Sequence, residues 1–299
     1  MSQKPSRTIR KPQPASSADA AKRPDGERIA KVIARAGICS RRDAERLIQD
    51  GEVKVNGKVL ESPALNVTEE DRIEVRGKPL PERERARMWV YHKPKGEITS
   101  ARDPEGRRTV FDGLPKDLPR VQPVGRLDYN SEGLLLFTND GEIKRKLELP
   151  ATGWKRRYRV RVHGIVQDEH LEKLAKGVTF EGIQYGPIEA VLEHQGPTNA
   201  WLMMGLREGK NREIRRVCES LGLIVNRLIR VSYGPFQLGD LQPGAVEEIP
   251  SRYLRDQLGL RNQDGEDDQK KVPAKGSGKP RNNRNRNPKQ SPSAPRRKR

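Results

Sequence analysis

Large apolar side chains are almost absent from both ends of this 299-residue chain, which confines folding to about residues 27–260. Residues 1–26 and 261–299 are rich in Pro, Ser, Asn, Lys and Arg. They cannot bury enough surface to offset the entropy of ordering, and both are expected to be disordered tails. With 34% of residues charged and only 32% hydrophobic, the chain is too polar to pack along its whole length. The formal charge of +19 divides as +4 on residues 1–26, +9 on 261–299 and +6 on the stretch between. From Lys270 to Arg299 there is no acidic residue. Such a polycation either holds phosphate backbones by releasing counterions or only keeps the chain solvated; the overall basicity favours a nucleic-acid partner. No apolar stretch approaches the roughly 20 residues of a membrane span, and the N-terminus lacks the apolar run of a secretory signal. A soluble, cytoplasmic protein without membrane contact is expected. Cys39 and Cys218 stand far apart, with no CxxC and no histidine at ligand spacing, so neither a disulfide nor a metal site is suggested.

Residues 27–86 read as a small basic module with its linker. Ile29, Val32, Ile33 and Ala36 give one apolar helical face, closed by Gly37. Ser40 opens Ser-Arg-Arg-Asp, a capping pattern for a second helix whose buried stripe is Ala44, Leu47 and Ile48. Val53 and Val55 alternate into the hairpin signal Asn56-Gly57, and Arg72–Val75 supplies a last strand. Arg35, Arg41, Arg42, Arg46, Lys54 and Lys58 leave one side strongly positive, which suits a solvated face or an RNA groove equally.

Residues 88–258 mix strands and helices without strict alternation, which indicates an α+β fold. A strand at Trp89–His92 is followed by the turn Lys93-Pro94-Lys95-Gly96, whose lysines could meet phosphates. Gly125-Arg126-Leu127-Asp128 leads through a polar loop into Leu134-Leu135-Leu136-Phe137, an apolar run of buried-strand length. Asp128 therefore sits on a loop fixed by a core strand, a usual place for chemistry, although alone it could be a turn residue in a surface ion pair. Tyr158, Val160 and Val162 alternate with arginines, which turns Tyr158 inward. Glu208–Cys218 leads into helical spacing at Ile214, Val217 and Leu221 with Gly222 as its stop, which puts Arg212, Arg215 and Arg216 beside the buried stripe, and Leu228–Val231 with Tyr233-Gly234 is expected to be the last strand. Phosphate-cradling, dinucleotide-binding, nucleophile-elbow and zinc-protease patterns are missing, and the four histidines are scattered. An enzyme here would work without metal or cofactor, using aspartate, arginine and tyrosine.

Gly125-Arg126-Leu127-Asp128 with Ser131-Glu132-Gly133-Leu134-Leu135-Leu136 resembles the aspartate motif of the pseudouridine synthases. Lys93–Gly96, Arg102-Asp103-Pro104-Glu105-Gly106-Arg107 and Asn211-Arg212-Glu213-Ile214-Arg215-Arg216 narrow the resemblance to the ribosomal large-subunit branch, in the family shared with the small-subunit enzyme. The helix, helix, hairpin order of residues 27–86 resembles the RNA-binding module named after ribosomal small-subunit protein four. The resemblance implies a mixed, largely antiparallel catalytic sheet, no cofactor, a 23S ribosomal RNA substrate, free or within a pre-ribosomal particle, and a monomer. It also implies roles. Asp128 is the essential group, adding to the uracil ring or acting on the ribose. Arg215 is its cationic partner, expected to grip the carboxylate through two donors. Tyr158 stacks on the uracil and helps move the ring proton, Leu228 packs the far side of the pocket, and Arg126 fills the gap left by an everted nucleotide. Lys93, Lys95 and Arg212 contact substrate, and Arg35, Arg41, Arg42 and Lys54 contact RNA phosphates.

Overall fold

The computed structural model describes residues 26–259, so the expected tails lie outside the described residues, Gly26 apart. The chain opens with β1 (Glu27–Arg28) and two helices, α1 (Ile29–Arg35) and α2 (Arg41–Gln49). Then come β2 (Val53–Val55), β3 (Lys58–Val59), β4 (Asn66–Val67), β5 (Ile73–Val75) and β6 (Lys78–Pro79). Local signals account for these elements. The Ser40 hydroxyl accepts the Asp43 N–H at 3.1 Å and caps α2. Asn56 (φ 51°) and Gly57 (φ 80°) take the left-handed conformations a two-residue hairpin between β2 and β3 requires. Ile29, Ile33, Ala44, Leu47, Ile48, Val53 and Ile73 form a core that is closed within this module. One strand, β6, reaches into the stretch expected to be linker.

The rest of the fold is one large sheet with helices packed on it, and a separate two-stranded ribbon. Its elements are β7 (Met88–Lys93), β8 (Gln122–Val124), β9 (Glu132–Thr138), α3 (Gly141–Glu148), β10 (Arg156–His163), α4 (Asp168–Lys176), β11 (Val178–Phe180), β12 (Ile183–Tyr185), β13 (Glu189–Gln195), β14 (Asn199–Leu206), α5 (Glu213–Ser220), β15 (Ile224–Tyr233), β16 (Phe236–Gln237), β17 (Val246–Glu248) and α6 (Ser251–Leu258). The order across the sheet is β13-β14-β10-β15-β9-β7-β17, with β16 on β15 and β8 on β9. Every pairing in this sheet is antiparallel except β15 with β9, which meet in parallel at Ile229↔Glu132 and Arg230↔Gly133. The fold is α+β, as expected.

Leu228–Tyr233 is not the last strand: β16, β17 and α6 follow it. Short length hides these strands, and β17 pairs with β7 at the sheet edge with only Val246 to mark it. The parallel junction has one strict requirement. A Cβ on Gly133 (φ 102°) would lie 2.3 Å from the Arg230 carbonyl oxygen, so only glycine permits β9 and β15 to approach.

Candidate active site

A cleft of about 1050 Å³ opens beside the end of β9. Asp128 lines it together with Tyr158 of β10, Leu228 and Arg230 of β15, and Arg212 at the start of α5. Cross-strand register explains the grouping, since Tyr158 faces Arg230 and Val160 faces Leu228 on adjacent strands.

The loop carrying Asp128 is fixed through its backbone. The Leu127 carbonyl accepts the Thr99 hydroxyl at 2.9 Å and the Asn130 carbonyl accepts Nη2 of Arg215 at 3.1 Å. The Ser131 carbonyl accepts Nζ of Lys93 at 2.9 Å. The Asp128 carbonyl takes the Ser131 N–H at 3.0 Å and the Tyr129 carbonyl takes the Gly96 N–H at 2.9 Å. All five consecutive carbonyls are thus engaged. The Asp128 side chain, half-buried, makes no hydrogen bond or ion pair among the described residues, which leaves both its oxygens for a ligand.

Arg215 is beside the aspartate but does not grip it. Its Nη1 reaches the Val225 carbonyl at 3.0 Å and its Nη2 the Asn130 carbonyl, so it ties β15 to the loop two residues beyond Asp128. Both terminal nitrogens donate to main chain and the buried Nε is left without a partner, so the expected two-donor carboxylate pair does not form. Burial pulls this guanidinium below its ordinary pKa, Arg212 adds to that, and the charge of Asp128 opposes it.

Lys93 departs from the expected phosphate contact. It is the last residue of β7, fully buried, and donates to the Pro94 and Ser131 carbonyls. Burial lowers its ammonium pKa to about 8, against the pull of Glu97, Asp128 and Glu132. Arg35 departs too: its side chain, 13% exposed, pairs with Glu27 at 2.6 Å and Glu142 at 2.7 Å, so it joins α1 to α3 instead of facing RNA. By contrast Arg41, Arg42, Lys54, Lys95, Arg126 and Arg212 are exposed, and none has a side-chain partner among the described residues.

Sequence reading missed three cleft residues. Arg230 is 2% exposed, donates Nε to the Leu134 carbonyl at 2.7 Å and leaves Nη2 without a partner. Arg156 bridges the Arg207 and Glu208 carbonyls and the Tyr233 hydroxyl. Glu213 is 4% exposed; its Oε2 accepts the Lys210 N–H, its Oε1 has no partner, and burial raises its carboxyl pKa. A charged residue two positions from Leu228, between Ile229 and Val231, was the available signal for Arg230. Among the described residues, no cluster of three or more His, Cys, Asp or Glu could hold a metal, and no helix is long and apolar enough to cross a membrane.

A model of the RNA pseudouridylate synthase family matches residues 87–220, and an S4 domain model matches residues 27–73. An uncharacterized RNA pseudouridine synthase of Rickettsia felis is 49% identical over 228 residues, covering 76% of this chain and 99% of its own. The chain belongs to the RNA pseudouridine synthases. Other relatives of this synthase are the ribosomal large subunit pseudouridine synthases B of Bacillus subtilis and Pseudomonas aeruginosa. The first is 41% identical over 226 residues, covering 75% of this chain and 92% of its own. The second is 43% identical over 251 residues, covering 80% and 64%. A crystal structure of a pseudouridylate synthase shares the fold, with a TM-score of 0.55 and 24% identity over 77% of this chain and 98% of that one. The synthase is an isomerase with an N-terminal S4 domain.

Proposed function

We propose that this synthase isomerises a uridine of 23S ribosomal RNA, with Asp128 as its essential group. The observation that carries this reading is a carboxylate with no protein partner on a turn whose five carbonyls are all held, at the wall of a cleft. The names of the Bacillus subtilis and Pseudomonas aeruginosa relatives support the large-subunit substrate.

The reaction breaks the bond between ribose C1′ and uracil N1, turns the base, and joins C1′ to C5; the proton on C5 leaves and N1 is protonated. No electrons are exchanged with another molecule. The uridine must leave its stack to reach the cleft, and Arg126, exposed and unpartnered at the cleft wall, is placed to occupy the vacated space. Tyr158 stacks on the base from β10 while Leu228 packs from β15. The Tyr158 hydroxyl, with no partner among the described residues, is free to move the C5 proton. Asp128 either adds to the uracil ring or attacks or deprotonates the ribose, and its fixed turn serves each route. Arg41, Arg42 and Lys54 hold backbone phosphates at the S4 domain, with Lys95 and Arg212 doing so on the synthase domain.

Tritium release from ribosomal RNA labelled at uracil C5 tests the reading. Wild type should release tritium from one site in large-subunit RNA and Asp128→Asn should release none above background. Undiminished release by Asp128→Asn would remove the aspartate from the mechanism. Binding without release by wild type on either subunit's RNA would point to an assembly protein.

A further inference from the structure

The first turn of α3 collects charges from both halves of the molecule. Glu142 accepts a hydrogen bond from Nζ of Lys31 at 2.7 Å and forms an ion pair with Nη2 of Arg35 at 2.7 Å without hydrogen-bond alignment, both from α1 of the S4 domain. Glu27 completes a four-membered alternating ring by binding the same two cations, at 2.7 and 2.6 Å. Two residues earlier, Asp140 caps α3 through the Glu142 and Ile143 N–H groups and binds Arg83 of the connecting stretch at 2.9 Å. On another side of the junction, Arg120 donates to the Cys39 carbonyl just before α2.

Isolated surface ion pairs contribute little, but this one is a network whose cations are only 13% and 24% exposed, while its anions Glu27 and Glu142 are 38% and 56% exposed. Arg41, Arg42 and Lys54 of the same module face outward without partners among the described residues, whereas Arg35, like Lys31, is withdrawn into this ring. The apolar cores of the two domains do not merge, so polar bonds of this kind set their relative placement.

We propose that Glu142 is a positioning residue: by clamping Lys31 and Arg35 it fixes the separation between the phosphate-holding face of the S4 domain and the cleft around Asp128, so that the synthase finds its uridine by measuring along the RNA from an anchored backbone. The inference rests on the RNA-isomerase reading above and extends it to how the target is chosen. Glu142 touches neither substrate nor Asp128, and its effect belongs to substrates long enough to engage both domains.

The test uses the full chain with Glu142→Lys and the charge exchange Glu142→Lys/Lys31→Glu, in which the new lysine meets the new glutamate while Arg35 keeps Glu27. On a ribosomal RNA fragment spanning both domains, Glu142→Lys should raise KM about tenfold and leave kcat near wild type, and the exchange should recover most of the loss. On a hairpin that holds the uridine but is too short to reach the S4 domain, all three proteins should behave alike. Small-angle scattering of the free proteins should show a larger maximum dimension for Glu142→Lys, restored by the exchange. Should Glu142→Lys not fold, Glu142→Gln replaces it with the same expectations at smaller amplitude. An unchanged KM on the long RNA, an equal loss on the hairpin, or an exchange no better than the single variant would overturn the proposal. Scattering needs no turnover, so a restored dimension in a protein inactive on all ribosomal RNA would support the clamp and refute the ribosomal-RNA substrate.

Discussion

Lys93 and Arg215 both act on the Asp128 turn from a distance and through main-chain oxygens, and each makes a separate prediction. For Lys93 the buried ammonium has a pKa of about 8, well under that of an exposed lysine. Below pH 8 both native and unfolded states hold the proton, and the native state bears the full cost of burying it. Between about pH 8 and the ordinary lysine value only the unfolded chain remains protonated, so this group makes stability rise with pH. Urea titrations of wild type and Lys93→Met should show wild type gaining at most about 3 kcal/mol relative to the variant from pH 7 to 10.5. A flat difference would mean the lysine is solvated. For Arg215, a lysine cannot span the Val225 and Asn130 carbonyls at once. Arg215→Lys should cut kcat by roughly 10 to 100-fold with little change in KM for RNA, since the turn loosens while phosphate contacts persist.

At the scale of elements, the β9–β15 junction is the strictest constraint. Gly133→Ala would force a methyl into the Arg230 backbone and should destabilise the protein by more than about 3 kcal/mol, read as a lowered urea midpoint, or prevent folding. The cap of α2 is a milder case: Ser40→Ala should cost about 1 kcal/mol and leave isomerisation intact. Elements with strong local signals were legible in the sequence. The α2 stripe, the Asn56-Gly57 hairpin, the inward face of β10 and the apolar β9 all appear where periodicity or turn chemistry places them. What escaped were elements specified by pairing and not by pattern. β8 contains a proline and pairs along β9, β13 has no fully buried residue, and β17 is an edge. The site divides in the same way. Asp128, Tyr158, Leu228 and Arg212 line one cleft. The misplacement of Lys93 and Arg35 has one cause: a sequence shows a positive charge but not whether a carbonyl or carboxylate from a distant element already occupies it.

For the whole molecule, charge outside the described residues belongs to the same question of RNA affinity. Deleting residues 270–299 should flatten the dependence of RNA affinity on salt and leave turnover of bound substrate nearly unchanged; an equal slope would mean the tail does not touch RNA. The large sheet also has a seam. Strand β10 meets β15 along eight residue pairs, whereas β15 meets β9 at two, Ile229↔Glu132 and Arg230↔Gly133. The cleft straddles that seam, with Asp128 arriving from the amino-terminal side and Tyr158, Arg212 and Leu228 from the carboxy-terminal side. A chain cut in the stretch between α3 and β10 would place the acid on one fragment and its neighbours on the other. Recovered isomerisation would then be a chemical readout of reassembly, a built-in split reporter whose signal needs both pieces in register.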